Sequence, residues 1–493
     1  MVYLMPRIGF LGGVWEIGGN KILLESEEAS IFLDFGVPFS RMKEYFSFPF
    51  DLPNNIEILI NLGLVPNIQN LYSRVVERCT RSEYKSGKVN FEVDPEPPVD
   101  GVVISHAHAD HMGHISLLTR KIRIFMGECA SKIFMLRNEL SRGYGIESRF
   151  FGLENRVETF STSSRIRIGD IEVVPIHVDH SIPGAYGFII YADGKTIVYT
   201  GDLRWHGATR LTDDFVRIVV ENRPIDCLIT EATHIDFSGF VSEEEVEMKS
   251  VKIVGDFEGD VIVDFSRTDY DRFFTFYHVA QKTKRYYIVD LDRLLYITTI
   301  SQCKNIMKRI DIGDESIIFL LDKASLVEKE KEFLVHLAGR YPDKILLTDD
   351  VAERLRKPKS RVSQEIREIV SQAKTLRSFL ESSDRRAIIT IPRGDPSSLR
   401  KIVHRHMIYI LASSEPVDEE SEISFERLKN WLEYYGIPMY HIHASGHITP
   451  LDLRRLILEV EPRVVIPVHS QRPRLLANFI RIENIKWLLP KLG

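Results

Sequence analysis

Short stretches in which apolar and polar positions alternate, separated by glycine and other turn formers, fill the first forty residues. Ile8-Gly9-Phe10-Leu11, Asn20 to Glu25 and Ser30 to Gly36 each have the two-residue period of a strand, so the pattern predicts a β-meander. Gly12, Gly13, Gly18 and Gly19 lie between the first two strands and read as tight turns, because strands follow where a dinucleotide-binding fold would open its helix. Residues 41–98 form a longer polar and aromatic stretch closed by Pro95, Pro97 and Pro98. Val102-Val103-Ile104 then predicts a buried strand, and strand–turn alternation continues through Thr200-Gly201-Asp202 and Cys227 to Glu231.

After about residue 240 the texture changes to strand–helix units. Apolar runs at Asp260–Phe265, Tyr286–Asp290, Ile317–Leu321, Ala387–Ile391 and Met407–Leu411 precede helix-like stretches, which predicts a separate α/β domain with a largely parallel sheet. Its end falls near Gly436-Ile437-Pro438. No heptads, repeat array or low-complexity tail is present.

At 493 residues the chain exceeds what one hydrophobic core holds, so two or three domains are expected. No apolar run reaches about 18 residues and Met1 to Arg7 lacks the layout of a signal peptide, so a soluble cytoplasmic protein without a membrane partner is expected. Cys79, Cys129, Cys227 and Cys303 are scattered without a Cys-x-x-Cys pair and read as structural or incidental thiols. The net charge of −6 argues against indiscriminate coating of nucleic acid, though a local basic groove remains compatible with it.

The chemistry concentrates in Ser105-His106-Ala107-His108-Ala109-Asp110-His111. A hydrolytic metal centre needs nitrogen and oxygen donors on rigid strand ends with a position open to water. His106 and His108 can point the same way from an extended loop, while Asp110 and His111 open a helix, which places two donor pairs on adjacent sites. Three imidazoles and a carboxylate crowded into six residues have little structural use without a cation. His180, Asp202 and His469 stand at the ends of later strands as further candidates. His114 is left outside the ligand set.

With these residues in hand, the chain resembles the metallo-β-lactamase superfamily and, within it, the β-CASP nucleases, most closely ribonuclease J in its short archaeal form. The opening Leu11 to Asn20 and Asp34 resemble the first motif, His106 to His111 the second, Val178-Asp179-His180-Ser181 the third and Thr200-Gly201-Asp202-Leu203 the fourth. Glu231, His447 in Ser445-Gly446-His447, and His469 are similar to motifs A, B and C, and a histidine at the last position goes with RNA-cleaving members. Arg393 to Leu399 and Ser413 to Val417 are also family-like. Residues 41–98 are longer than the family's link, and Phe265 to Arg272 matches only loosely. The resemblance implies an αββα sandwich over 1–238 and 438–493, with a β-CASP α/β domain inserted over 239–437.

It implies two Zn2+ per chain: His106, His108 and His180 hold one, Asp110, His111 and His469 the other, and Asp202 bridges them. The cations acidify a shared water and neutralise charge on the transition state. His447, oriented by Glu231, is the candidate general acid, and Ser445, Gly446 and His447 grip the substrate phosphate. The substrate implied is single-stranded RNA, cleaved to 5′-phosphate and 3′-hydroxyl by exonuclease action from the 5′ end, by endonuclease action, or by both, and a homodimer is compatible. Tyr72, Arg74, Arg78, Arg81, Tyr84, Lys85 and Lys88 interleave aromatic and basic residues suited to binding a strand, although a solvated mixed-charge surface explains them without function and is favoured because Glu77 and Glu83 intervene. Arg472 and Arg474 follow His469. Competing readings are a DNA-directed β-CASP nuclease, a small-molecule hydrolase such as a lactonase or thioesterase, and a metal-free RNA-binding paralogue.

Overall fold

The computed structural model describes residues 5–46, 53, 55–75, 94–140, 156–236, 241–304, 306, 309–357, 362–391, 396–403, 406–414, 419–482 and 484–492. They fall into two compact units, one of residues 1–205, 209–239 and 446–493, the other of 206–208 and 240–445.

In the first unit, among the described residues, two sheets pack face to face. One runs through Arg7–Phe10, Ile22–Glu25, Ser30–Leu33, Gly101–Ile104, Arg123–Gly127 and Val157–Phe160 in sequence order. Its opening three strands are the antiparallel meander expected from their alternation, and the parallel pairs begin where Gly101–Ile104 joins Ser30–Leu33. The other sheet has the order Lys486–Trp487, Val464–Val468, Cys227–Glu231, Lys195–Tyr199, Ala185–Ala192, Ile171–Val178, Ile166–Ile168.

Side chains on alternate positions of both sheets interdigitate in one core, with Ile22, Leu24, Ile31, Leu33 and Val103 facing Val173, Phe188, Ile190, Ile197 and Ile229. The opposite face of the second sheet presents Val178, Ile189, Val198, Leu228 and Val465. The helices Leu211–Glu221 and Pro450–Val460 cover it with Phe215, Val219, Leu453, Leu456 and Ile457. On the first sheet, the helix Glu128–Leu140 buries Ala130, Ile133 and Phe134 beside Arg123–Gly127 and Val157–Phe160. This is the αββα sandwich. Its loops at one end, after Gly101–Ile104, Ile171–Val178, Lys195–Tyr199, Cys227–Glu231 and Val464–Val468, carry the candidate site.

The second unit is a wholly parallel sheet of eight strands among the described residues, in the order Lys374–Thr375, Ile345–Leu347, Ile317–Leu321, Tyr286–Asp290, Ala387–Ile391, Asp260–Asp264, Met407–Leu411, Met439–His441. Its central strands are buried along their whole length, as a parallel sheet covered on both faces requires. Met439–His441, which sequence reading assigns to the returning part of the first domain, pairs with Met407–Leu411 and so lies in this unit. A fully buried Arg272 ties the unit together: its Nε and Nη2 donate to Glu243 at 2.8 and 3.1 Å, from the opening of the next helix to that of the preceding one.

Two expectations change. Cys129 and Cys303 each belong to a disulfide, and among the described residues Cys227 is a buried free thiol. Tyr72 is not a free stacking platform: its hydroxyl donates to the Pro66 carbonyl at 2.5 Å and its ring packs on the cluster of Leu59, Leu64 and Leu117, while Arg74 is exposed. Arg78, Arg81, Tyr84, Lys85 and Lys88 lie outside the described residues, as do Arg393 to Asp395 and Glu415 to Val417.

Candidate metal centre

Every donor proposed from sequence lies within the first unit. His106 and His108 sit on the loop leaving Gly101–Ile104, and the short helix Ala109–Met112 carries Asp110 and His111. A single turn of helix is held from outside. Gly19 and Asn20 donate their N–H groups to the Asp110 carbonyl at 2.9 and 3.2 Å, and Phe35 donates to that of His111 at 2.7 Å. The glycines make this approach possible. A Cβ on Gly36 would stand 1.6 Å from the Asp110 carbonyl oxygen, and one on Gly18, whose φ of +80° already favours glycine, 2.7 Å from Asp110 Cβ.

Two donor triads result. His106 Nε2 and His180 Nε2 lie 3.1 and 3.0 Å from His108 Nδ1. Asp110 Oδ2 lies 3.1 Å from His469 Nε2 and 4.0 Å from His111 Nε2. Asp202 Oδ2 stands between them, 3.0 Å from His111, 3.7 Å from both His106 and His469, and 3.9 Å from His180. Two nitrogens bound to one tetrahedral zinc at 2.0–2.1 Å are about 3.4 Å apart, so these spacings suit a cation among them. Asp202 Oδ1 is buried without a hydrogen-bond donor among the described residues, a cost that a cation would remove.

The outer nitrogens fix the tautomers. His111 Nδ1 donates to Asp34 Oδ2 at 2.8 Å, His106 Nδ1 pairs with Ser105 Oγ at 3.0 Å, His180 Nδ1 donates to the Gly446 carbonyl at 2.5 Å, and His469 Nδ1 pairs with Thr233 Oγ1 at 2.8 Å. Ser105 Oγ donates to Asp34 Oδ2 and Thr233 Oγ1 to the His469 carbonyl, so each hydroxyl accepts from its imidazole. All four rings therefore turn Nε2 inward as the atom left to bind a cation. Asp34 is saturated: it also accepts from the Ser105 N–H at 2.7 Å and the Tyr199 hydroxyl at 2.6 Å.

Burial, reinforced by neighbouring imidazoles, holds His106 and His180 well below the usual histidine range, and burial brings His108 down to about 4, so these are neutral donors. Burial opposes ionisation of Asp202, but His111 and His469 outweigh it and keep the carboxylate charged. His111 is pushed up, against burial, by Asp202, Asp34 and Asp110; binding a cation there would release a proton.

At the open side, His447 Nδ1 meets Glu231 Oε2 at 2.9 Å and lies 3.8 Å from Asp202 Oδ2. Glu231 Oε1 accepts the Leu203 N–H at 2.9 Å, which aims the carboxylate. Burial would lower the His447 pKa, yet Glu231 and Asp202 raise it to about 9. Gly446 permits the close approach to the His180 loop, because a Cβ there would be 2.7 Å from Ser181 Oγ. Ser445 belongs to the second unit, where its carbonyl lies 2.9 Å from His206 Nε2. His114 is fully buried and joins neither triad.

Sequence reasoning missed the supporting layer. Arg204, fully buried, donates from Nε to Asp179 Oδ1 at 2.6 Å and from its N–H to the Asp179 carbonyl at 2.8 Å, joining the loop of His180 to that of Asp202. Ser105, Tyr199 and Thr233 carried no signal of their own. The adjacency of Asp179 to His180 and of Arg204 to Asp202, with opposite charges, was the one trace available.

The Beta-lactamase superfamily domain matches residues 85–246. Ribonuclease J of Mycoplasma genitalium is 20% identical over 94% of this chain and 68% of its own length. Ribonuclease J 2 of Streptococcus pyogenes is 21% identical over 96% and 71%, and ribonuclease J of Mycolicibacterium smegmatis 23% identical over 96% and 70%. A crystal structure of a protein of unknown function from Enterococcus faecalis superposes with a TM-score of 0.69 at 20% identity, covering 99% of both chains, which speaks to the fold alone.

Proposed function

Taking as premise a hydrolytic nuclease of the metallo-β-lactamase fold that acts on RNA, we propose that the chain uses two Zn2+ and cleaves single-stranded RNA to 5′-phosphate and 3′-hydroxyl ends. Its place is cytoplasmic RNA processing or decay, by 5′–3′ exonuclease action, endonuclease action or both. The observation that carries this reading is the position of Asp202 Oδ2, within 3.0–3.9 Å of one nitrogen on each of His106, His111, His180 and His469. Histidine nitrogens and carboxylate oxygens, without a thiolate, suit zinc at a hydrolytic site.

Zinc held there supplies a nucleophile at neutral pH and positive charge against the phosphodiester. The chain's own residues manage the leaving group. Glu231 accepts from Nδ1 of His447 and keeps the ring charged at neutral pH, so Nε2–H is the proton delivered to the departing 3′-oxygen. His447 leaves 21% of its side chain exposed, so a strand can reach the ring from solvent.

The test is digestion of one RNA bearing 5′-monophosphate, triphosphate or hydroxyl ends, with a DNA of the same sequence alongside. Mononucleotides mark exonuclease action and internal fragments endonuclease action. His108→Ala and Asp202→Asn are expected to reduce RNA cleavage to background with zinc lost. Undiminished RNA cleavage by either variant would refute the site, and cleavage of the DNA alone the substrate.

A further inference from the structure

The loop from Gly12 to Gly19 does more than hold Asp110. Its Gly13 carbonyl accepts the backbone N–H of His469 at 2.8 Å and its Gly18 lies against Asp110, so the segment between them borders two of the proposed ligands. Val14 and Glu16 point inward and are buried, whereas Trp15 between them is thrust outward with 41% of its surface exposed. Its backbone φ is +58°, in the left-handed region that a bulky side chain disfavours. An exposed indole on a strained backbone brings two penalties and little return in folding, the combination that marks functional positions.

The ring is also held in place. Its Nε1 donates to the Pro490 carbonyl at 3.3 Å, and the Arg474 guanidinium lies 5.2 Å from its centroid, on an otherwise exposed side chain. A fixed aromatic plate beside a solvated cation is the pairing used to stack a base and contact its phosphate. Resting on the RNA reading above, we propose that Trp15 and Arg474 form a nucleobase-stacking subsite on the rim of the metal centre, which grips one nucleotide of the strand without regard to base identity.

The test uses the full zinc-loaded chain and a series of oligoribonucleotides, each lacking one base. The wild-type KM should rise about tenfold when one particular base is missing, in keeping with the loss of one stacked base. Trp15→Gly, which suits the positive φ, should raise KM about tenfold on intact RNA, leave kcat and zinc content unchanged, and abolish sensitivity to that missing base. Trp15→Phe should restore most of the affinity. An unchanged KM in Trp15→Gly, or an elevated KM that keeps the same missing-base profile, overturns the subsite while leaving the ribonuclease reading intact. Failure of the wild type to cleave RNA at all overturns both.

Discussion

Replacing Asp179 by asparagine keeps the side chain's size and removes its charge, which isolates what the buried pair with Arg204 contributes. Both side chains are essentially inaccessible, at 0% for Arg204 and 2% for Asp179, and the contact is 2.6 Å. Removing one member of a buried pair leaves the other charge in low dielectric and costs about 3–5 kcal/mol. The lower end applies here, because an asparagine carbonyl can still accept the Thr209 N–H that Asp179 Oδ2 accepts at 3.0 Å. A loss of about 3 kcal/mol is a large part of a domain's usual stability of about 5–15 kcal/mol.

The pair also joins the loops of His180 and Asp202, so zinc affinity should fall by about 10- to 100-fold, the usual consequence of removing support behind a ligand. Urea unfolding of the zinc-loaded protein, followed by tryptophan fluorescence, reads the first effect, and chelator competition the second. Trp205, next to Arg204 and hydrogen-bonded to Asp213 at 2.7 Å, reports on this region. Asp179→Asn combined with Arg204→Met should be less destabilised than Asp179→Asn alone. A loss below about 1 kcal/mol in the single variant, or a double variant as unstable as the sum of the singles, would refute the reasoning.

Thr233→Val removes the acceptor for His469 Nδ1 and should weaken zinc binding by about tenfold while the folding midpoint of chelated protein barely moves; equal zinc affinity in a chelator titration would contradict this. Asp322, in the second unit, has its pKa raised to about 6 by burial and by the carboxylates of Asp290 and Asp292. The folded state thus binds this proton more tightly than the unfolded one, and the stability it contributes is full below about pH 4 and lost as pH rises through 6. Asp322→Asn should therefore stabilise the protein at pH 7–8 by about 1–2 kcal/mol, after allowance for partial exposure, and flatten the dependence between pH 4 and 7. Thermal melts across that range check it, and a variant melting lower than wild type at pH 8 would count against it.

The sheets were legible where the pattern was long or strongly biased. The five apolar runs of the second unit, each bounded by helix-like stretches, were recognisable, as was a further strand leading into His441, whereas Ile345–Leu347 and Lys374–Thr375 are too short to carry a period and are set by pairing along their neighbours. In the candidate site, His106 to His111 stood out because such crowding is rare without a cation. His180, Asp202 and His469 were nameable through the resemblance and their strand-end positions. Thr233 and Tyr199 were invisible because a threonine or tyrosine at a strand end has many ordinary uses, and only the fold brings them to an imidazole or a carboxylate. The glycines at 12–19 were read as turns, but for Gly18 the reason lies in the space taken by Asp110, about ninety residues later.

Asp110 and His469 approach to 3.1 Å across a sequence separation of 359 residues. At the usual synthesis rate of about 5–20 residues per second, a ribosome needs on the order of 20–70 s to travel between them. Throughout that interval the emerging polypeptide carries His106 to His111 without the partner that completes their second triad. On the ligand set proposed above, the second metal site can close only after translation has passed His469.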